Sequence, residues 1–492
     1  MKMSTPPPAE DRAAIVRVPL EEWTSPEKMM LRLGGDSAFL LDSAGEVDGF
    51  TRWSLLGSHP VARFTSQGGR NYFHNMSHGQ TWNWNEAPLP ALRRAMASFP
   101  QPESVAGIPF SGGAVGLMSY ELGRSLLPVT AQAHDDLGLP ELSFFFFNRF
   151  LLFDRKRGMA WAVAYARAAN ETDARREARL CASELAVAVS KHSPATREVT
   201  RVKSSGKPLP LSTSLSADAY RRAVQRCIDD IHEGEAYELC LTGRYETEFE
   251  GDSFTLYREL RRQNPAPYAA YLRFPEATLI SSSPERFLRV DREGRVEARP
   301  IKGTRPRGKS PVEDARLRSE LKASRKDRAE NTMIVDLLRN DLARVCKKGS
   351  VEVPQHCVIE DYATVFQMVS TITGQLAHDK DRFDLLASAF PGGSMTGAPK
   401  IAAMKILEEI EPVVRGYYSG AMGYLSFDGA CDLSMVIRSI QLVGRRALVG
   451  AGGAVVAASD PDEEWKEAML KARGPLQALA SVQGFDFSDE AK

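Results

Sequence analysis

A glutamate and a lysine flank a predicted hairpin in SSSPERFLRVDREGRVEARPIKGTRPRG, residues 281–308. The turn DREG separates two strand-like runs, and pairing Val290 with Arg295 would put Glu285 and Lys302 on one face of the ribbon. Positions related in this way lie roughly 7–8 Å apart, which leaves room for a substrate between a carboxylate and an amine. The pattern predicts a proton donor that faces a nucleophile, and a surface glutamate and lysine are the alternative.

Lys302 must lose its proton before its nitrogen can attack carbon. Arg305 and Arg307 follow it closely, and two guanidinium groups together with partial burial would lower the pKa of the amine. We therefore expect a lowered pKa for Lys302. A basic loop that only binds an anion is the alternative.

Two glycine-rich segments could bind the anionic part of a ligand. PGGSMTGAPK, residues 391–400, precedes an apolar-periodic helix, where free backbone N–H groups would face a carboxylate or phosphate. It lacks the Walker A spacing. The second segment, GAGG at 450–453, lies between strand-like runs. For both segments a purely structural turn is the alternative.

Two glutamates on predicted helices could ligate a metal ion. Glu330 extends the apolar stripe of its helix, so its carboxylate must be paired or must bind something. Glu467 is spaced to pair with Lys471 four residues later, and a solvated helix face is the alternative there. Brought together, the two carboxylates would form an oxygen site for Mg²⁺, completed by waters and an anionic substrate.

The elements that carry these residues mix strands and helices without a steady βαβ alternation, which predicts an α+β fold with antiparallel sheets. Residues 191–216 are poor in bulky apolar side chains and predict a linker between an N-terminal region, 1–190, and a catalytic domain, 217–485. Glu171 to Ser190 is a predicted amphipathic helix, and Ser216 is the predicted N-cap of another.

The composition excludes several classes of protein. The 492 residues include 63 basic and 63 acidic side chains, so no overall field favours nucleic acid or an anionic membrane. No apolar stretch has the length of a signal peptide or a membrane span, which predicts a cytoplasmic protein. Six scattered cysteines without a CxxC pair predict reduced, packed thiols.

Several long segments together resemble the chorismate-binding synthase family: SSSPERF, PIKGTRPRG, DRAENTMIVDLLRNDL, PGGSMTGAPK, GYYSGAMGYLS and DLSMVIRS. The resemblance extends from Ser216 to the C-terminal helix, and the LLDS segment around Ser43 is similar to the N-terminal region of the family. It implies an anthranilate synthase component I-like fold, in which antiparallel sheets form a sandwich core flanked by helices, with two intertwined subdomains.

The residue before the glycine of the PIxGT motif separates the branches of this family. Lys302 at that position, together with GEAYELCLT at 234–242, resembles the aminodeoxychorismate synthase branch, whereas anthranilate synthases usually have alanine there. The resemblance implies the amination of chorismate on the route to p-aminobenzoate and folate. Lys302 would attack C2 of chorismate while Glu285 protonates the departing C4 hydroxyl. An anthranilate synthase component I and a non-catalytic anion-binding subunit are the alternatives.

The resemblance also implies the remaining site residues. Glu330 and Glu467 would hold Mg²⁺ against the ring carboxylate of the substrate. The implied substrate contacts are Thr304, Gln367, Tyr418, Arg438, Gly452, Gly453 and Lys471. A tryptophan pocket would involve Ser43, Pro267, Tyr268 and Ala269, with plain core packing as the alternative.

Two departures from the family pattern and one missing motif affect this interpretation. Gln367 stands where relatives often have histidine, and an amide cannot carry a proton at neutral pH. Ala458 stands where an acidic residue is common. The sequence contains no GxCxG nucleophile elbow, so we expect ammonia from a separate glutamine amidotransferase subunit or from solution.

Overall fold

The computed structural model describes residues 11–35, 37–45, 51–103, 105–191, 204–362 and 365–487. In chain order, the strands are β1 (Arg12–Pro19), β2 (Ala38–Asp42), β3 (Trp53–Ser58), β4 (Ala62–Gln67), β5 (Arg70–Asn75), β6 (Gln80–Trp84), β7 (Gly113–Met118), β8 (Leu142–Phe147), β9 (Arg149–Asp154), β10 (Met159–Ala168), β11 (Ser212–Thr213), β12 (Glu238–Glu248), β13 (Tyr268–Arg273), β14 (Thr278–Ser283), β15 (Arg286–Val290), β16 (Arg295–Arg299), β17 (Ile301–Pro306), β18 (Glu352–Asp361), β19 (Val365–Gln375), β20 (Gly397–Ala398), β21 (Ala421–Ser426), β22 (Cys431–Met435), β23 (Ser439–Val443) and β24 (Arg446–Val455). The helices are α1 (Pro26–Leu33), α2 (Pro88–Ala97), α3 (Leu122–Leu126), α4 (Glu171–Lys191), α5 (Ala217–His232), α6 (Ser253–Gln263), α7 (Pro311–Ala323), α8 (Arg325–Ala343), α9 (Arg382–Ala389), α10 (Lys400–Ile410) and α11 (Pro461–Gln483), and a 3₁₀ helix spans Gly393–Met395.

These strands form two large antiparallel sheets. The first sheet has the order β1-β10-β9-β3-β2-β13-β14-β23-β24-β12-β11, with β20 also paired to β12. The second has the order β17-β19-β16-β15-β22-β21-β7-β8-β4-β5-β6, with β18 paired to β19. Each sheet combines strands from both sides of residues 191–216. The predicted α+β class with antiparallel sheets is therefore confirmed.

Aromatic side chains fill the space between the two sheets. Phe39 on β2 meets Phe147 on β8 edge to face, with ring centroids 4.7 Å apart. Phe145 belongs to the same inter-sheet cluster, whereas Phe144 and Phe146 pack with side chains of α2 and α9 on the other face of β8. The sequence of β8 is almost entirely apolar because both faces of this strand are buried.

The local predictions around the middle of the chain agree with the structure where it describes them. The predicted helix beginning at Glu171 is α4. Ser216 is the N-cap of α5, and its hydroxyl accepts a hydrogen bond from the N–H of Ala219 at 3.3 Å. Much of the predicted linker, residues 192–203, lies outside the described residues, and the domain boundaries stay predictions.

Two further findings concern the cysteines and the helices. All six cysteines are free thiols, and five of them are buried. Among the helices that the structure describes, none combines the length and the apolar composition that a membrane crossing requires.

Two of the crossings of the chain between the two sheets lie next to each other. β14 of the first sheet leads into β15 of the second, and β22 of the second leads into β23 of the first. The backbone N–H of Met435 donates to the carbonyl of Glu285 at 3.1 Å, and that of Ser282 donates to the carbonyl of Arg438 at 3.2 Å. These bonds join the two crossing segments, which carry Glu285 and Arg438, where the sheets meet.

Candidate active site

An ion pair between Lys302 and Glu238 connects the two sheets. Lys302 lies on β17 of the second sheet and Glu238 begins β12 of the first. The Nζ atom of Lys302 lies 2.8 Å from Oε1 of Glu238, whose side chain is completely buried, while that of Lys302 is 11% exposed. The other carboxylate oxygen of Glu238 has no hydrogen-bond partner among the described residues.

The predicted lowering of the pKa of Lys302 is wrong. Burial by itself lowers this pKa, but the carboxylates of Glu238 and Glu330 outweigh burial and raise it above its ordinary value. Arg305 and Arg307 do not oppose this effect, because they pair with acidic residues of α7 at 3.0 and 2.6 Å. The raised pKa favours the ammonium form of this lysine at neutral pH.

Glu285 lies in the same site and is a buried carboxyl group. Its Oε1 atom accepts a hydrogen bond from the hydroxyl of Ser394 at 2.8 Å. Burial raises the pKa of Glu285 to about 7, even though this hydrogen bond and the charges of Lys302 and Lys471 lower it. Such a group is partly protonated near neutral pH and can donate a proton to a leaving oxygen.

The hairpin between β15 and β16 has a different register near its turn from the one predicted. Val290 faces Val296 and not Arg295, so the predicted pairing is wrong at this end. Arg295 instead closes the turn, because the N–H of Asp291 donates to its carbonyl at 3.0 Å. A bulge in β15 then absorbs the one-residue difference, and the end of the hairpin that leads to the site follows the predicted register.

Three further carboxylates and two further lysines lie near Lys302 and Glu285. Lys326 Nζ lies 3.3 Å from Glu464 Oε1 and 3.8 Å from Glu330 Oε1. Lys471 Nζ lies 2.6 Å from Glu467 Oε1, as the spacing predicts. Burial raises the pKa of Glu330 to about 7, whereas the charge of Lys471 lowers the pKa of Glu467 to about 2. The predicted inward orientation of Glu330 is confirmed, since this residue is 9% exposed.

The donor set of these carboxylates fits a magnesium ion that has further ligands. Glu330 Oε1 and Glu464 Oε2 have no hydrogen-bond partner among the described residues. Gly453 leaves the space that Glu464 occupies, because a Cβ atom there would lie 2.5 Å from Glu464 Oε2. In the described part of the chain, no three acidic, histidine or cysteine side chains converge closely enough to hold a metal ion. A site of this kind needs waters and an anionic ligand to complete the shell.

Three other predicted contacts are joined by hydrogen bonds around Lys471, which lies on the same helix, α11, as Glu467. Arg438 donates to the carbonyl of Lys471 at 3.0 Å, and Lys471 Nζ donates to the carbonyl of Gly452 at 2.9 Å. The ring of Tyr418 packs onto Gly450, where a Cβ atom would lie 2.2 Å from the ring. This close approach explains the glycine at position 450.

Thr304, two residues after Lys302 on β17, faces Gln367 of the neighbouring strand β19. Thr304 is exposed, whereas Gln367 is buried and its Oε1 atom has no hydrogen-bond partner among the described residues. The amide can therefore still accept a hydrogen bond from a ligand. The roles of both residues as substrate contacts stay predictions.

Four residues of the site were not identified from the sequence: Glu238, Lys326, Ser394 and Glu464. Glu238 is a single charge in the apolar run YELCL, and a buried charge in a strand is a signal of function. Two glycines of PGGSMTGAPK pack against Leu337 and Met435. The third, Gly397, packs against the backbone carbonyl of Glu238, and the hydroxyl of Ser394 reaches Glu285.

The residues of the expected tryptophan pocket are neighbours. The N–H of Ala44 donates to the carbonyl of Ala266 at 3.2 Å, which brings Ser43 beside residues 267–269. The hydroxyl of Ser43 is already bonded to the carbonyl of Trp53 at 2.7 Å. The cavity beside Tyr268 has about 10 Å³, room for about one water molecule. Tryptophan binding stays a prediction.

The comparisons with known proteins agree with the resemblance noted in the sequence. Residues 36–477 match the family of chorismate binding enzymes. An aminodeoxychorismate synthase from Streptomyces pristinaespiralis is 41% identical over 460 residues, which are 90% of this chain and 61% of the relative. Aminodeoxychorismate synthase component 1 from Salmonella typhimurium is 35% identical and covers 90% of this chain and 93% of the relative.

A solved structure confirms the predicted fold. Anthranilate synthase component I from Streptococcus pneumoniae superimposes with a TM-score of 0.76 at 28% identity and covers 94% of this chain and 99% of that one. An aminodeoxychorismate synthase from Streptomyces griseus is 43% identical over 80% of this chain. The chain spans only 61% of the Streptomyces pristinaespiralis relative and 53% of the Streptomyces griseus relative.

Proposed function

The chain belongs to the family of chorismate binding enzymes, and we propose that it aminates chorismate to 4-amino-4-deoxychorismate. The observation that carries the proposal is Lys302, an amine whose side chain is only 11% exposed and which shares one site with the carboxyl group of Glu285. An amine at this position can form a bond to the substrate, which the alanine usual in anthranilate synthases cannot do. The product would serve p-aminobenzoate and folate synthesis in the cytoplasm.

The first step is the loss of a proton from Lys302. Glu238 is in contact with the ammonium at 2.8 Å and is the proposed acceptor. Transfer of the proton converts two buried charges into two neutral groups, and the displacement of water by a bound substrate favours neutral groups. The amine then has a free electron pair.

The second step joins the lysine to the ring. Lys302 Nζ attacks C2, the two ring double bonds shift, and the bond between C4 and its hydroxyl oxygen breaks. Glu285 gives its proton to the departing oxygen, so water leaves and the carboxylate of Glu285 remains. Its pKa of about 7 makes this proton available near neutral pH.

The third step replaces the lysine with ammonia. Ammonia attacks C4, the double bonds shift back, and the bond between C2 and Nζ breaks with its electron pair on the lysine. The lysine recovers the proton held by Glu238, and the new C4 ammonium returns one proton to Glu285. The protein ends in its starting state, and chorismate plus ammonia has become aminodeoxychorismate plus water.

The acidic residues of the site are proposed to bind a cation, and the basic residues and backbone N–H groups are proposed to bind the carboxylates of the substrate. Glu330 and Glu467 would hold Mg²⁺, which when bound supplies positive charge against the ring carboxylate of chorismate. Arg438, Tyr418 and the backbone N–H groups of Gly452 and Gly453 would contact the carboxylates of the substrate, with Thr304, Gln367 and Lys471 as further contacts. One carboxylate oxygen each of Glu330 and Glu464 has no hydrogen-bond partner among the described residues, which supports the choice of a cation here.

The ammonia is proposed to come from a glutamine amidotransferase subunit. The isolated chain is then expected to use ammonium salts but not glutamine, and addition of a glutaminase subunit would restore the use of glutamine. Activity of the purified chain with glutamine alone would contradict this part of the proposal.

Identification of the product tests the proposed function. The purified chain is incubated with chorismate, Mg²⁺ and ammonium, and the products are identified by mass spectrometry. We expect aminodeoxychorismate from the wild type and none from the Lys302→Ala and Lys302→Arg variants. Anthranilate with release of pyruvate, retained in Lys302→Ala, would instead assign the chain to the anthranilate-forming branch. Binding of chorismate without turnover would indicate a non-catalytic subunit.

A further inference from the structure

Arg415 lies in the segment between α10 and β21, and its side chain is only 3% exposed. All five N–H donors of its guanidinium group nevertheless have an acceptor. Two of them form a bidentate pair with Glu411, Nε to Oε2 at 2.8 Å and Nη2 to Oε1 at 2.6 Å. Because every donor is used, the side chain is fixed in one orientation.

The other three donors reach three separate segments of the chain. Nη2 donates to the carbonyl of Cys240 at 2.8 Å, and Nη1 donates to the carbonyl of Met395 at 2.8 Å and to the hydroxyl of Ser419 at 3.2 Å. Glu411 adds a second attachment to β12, because its Oε1 atom accepts from the N–H of Thr242 at 2.8 Å.

Each of the three acceptor residues lies one or two positions along the chain from a residue of the active site. Glu238 is two residues before Cys240 on β12, Ser394 directly precedes Met395, and Tyr418 directly precedes Ser419. Residues two apart on a strand point to the same face, so the position of Cys240 sets that of Glu238. The guanidinium of Arg415 therefore connects the partner of Lys302, the partner of Glu285 and the ring of Tyr418.

Ser419 is held in an uncommon backbone conformation. Its φ angle is 65°, in the left-handed region that favours glycine. Its N–H donates to the carbonyl of Val436 at 2.9 Å, and its hydroxyl accepts from Arg415. A strained residue persists where its surroundings determine its conformation, and these two bonds fix the turn that presents Tyr418.

We infer that Arg415 is a positioning residue, which sets the relative placement of Glu238, Ser394 and Tyr418 for the proposed reaction, an inference that rests on the proposed function. Arg415 does not touch the reacting atoms and acts through the three backbone segments. Lysine cannot take its place, because it has three donors on a flexible chain and cannot form the bidentate pair with Glu411.

The test compares Arg415→Lys with a matched change at Arg124. Arg124 forms a similar bidentate pair with Glu408, at 2.7 and 2.8 Å, but among the described residues its guanidinium donates to none of the three segments. Both variants keep the positive charge and lose one ordered guanidinium. Kinetic constants for chorismate amination, the pH dependence of kcat and the melting temperature are measured for both variants.

We expect kcat of Arg415→Lys to fall about 100-fold, the size of effect that a misplaced catalytic group produces, with a smaller change in KM. Displacement of Ser394 removes a hydrogen bond that stabilises the ionised form of Glu285, so the alkaline decrease of kcat should move to higher pH. Arg124→Lys should retain the kcat and the pH profile of the wild type.

The inference would be overturned if Arg415→Lys kept the wild-type pH profile. It would also be overturned if, in both variants, the loss of kcat were proportional to the decrease of the melting temperature. Should Arg415→Lys not fold, Glu411→Gln is measured, which keeps the shape of the pair but removes one charge. It is expected to lower kcat and shift the profile in the same direction, and an unchanged kcat would overturn the inference. The wild-type product is identified in the same assay, so a failure of the proposed function is recognised separately.

Discussion

The ammonium of Lys302 and the carboxylate of Glu238 form a buried ion pair of 2.8 Å across the meeting point of the two sheets. The pair keeps the proposed nucleophile in its protonated, unreactive form while the site contains no substrate. It also places a proton acceptor in contact with the amine. The carboxylate of Glu238 thus stabilises the protonated lysine and is also the proposed acceptor of its proton.

Glu238→Gln is expected to lower the pKa of Lys302, because burial lowers this pKa and the opposing negative charge is removed. The measurement is the acylation of Lys302 by acetic anhydride as a function of pH, quantified by peptide mass spectrometry. Glu248→Gln, an exposed change on the same strand, is the control and should leave the acylation midpoint unchanged. An identical midpoint in Glu238→Gln and in the wild type would refute this electrostatic coupling.

Ser394→Ala is expected to move the alkaline decrease of kcat to higher pH. The hydroxyl of Ser394 stabilises the ionised form of Glu285, so its loss raises the pKa of Glu285 above about 7 and keeps the general acid protonated further into the alkaline range. The pH profile of kcat between pH values of about 6 and 9 measures the shift. A shift towards lower pH would contradict the assigned hydrogen bond.

Glu330→Gln is expected to raise the Mg²⁺ concentration that gives half-maximal activity, because a neutral amide is a weaker ligand for Mg²⁺ than a carboxylate. Asp336→Asn is the control, because Asp336 is an exposed residue of the same helix and pairs with Arg339. Magnesium titrations of both variants after treatment with a chelator provide the comparison. Equal magnesium requirements in the two variants would exclude Glu330 as a ligand.

Phe147→Ala is expected to destabilise the protein by about 3–5 kcal/mol, because it opens a cavity between the two sheets beside Phe39. Tyr72→Ala removes an aromatic ring that is 39% exposed and should cost much less. Thermal unfolding of both variants gives the difference. A melting temperature of Phe147→Ala at or above that of Tyr72→Ala would show that the inter-sheet contact contributes little.

The sequence allowed the prediction of the fold class and of much of the site because local patterns determine both. Ser216 has the chemistry of an N-cap, and the inward position of Glu330 follows from the helical period alone. The hairpin prediction failed at its turn, since a bulge of one residue leaves no mark in the alternation of a short strand.

The electrostatics of Lys302 could not be predicted from its neighbours in the sequence. Arg305 and Arg307 are close along the chain, but they pair with α7, whereas Glu238 comes from a strand 64 residues earlier and in the other sheet. The pKa of a buried group depends on contacts in space, and such contacts between distant segments have no local signature.

The central claim is a covalent bond between Lys302 and C2 of chorismate, and mass spectrometry without ammonia tests it most directly. The wild-type protein is incubated with chorismate and Mg²⁺, quenched, and digested. We predict that the peptide containing Lys302 gains the mass of chorismate less one water, and that Lys302→Arg gains nothing. An unmodified Lys302 in a sample that completes the amination once ammonia is added would contradict the account.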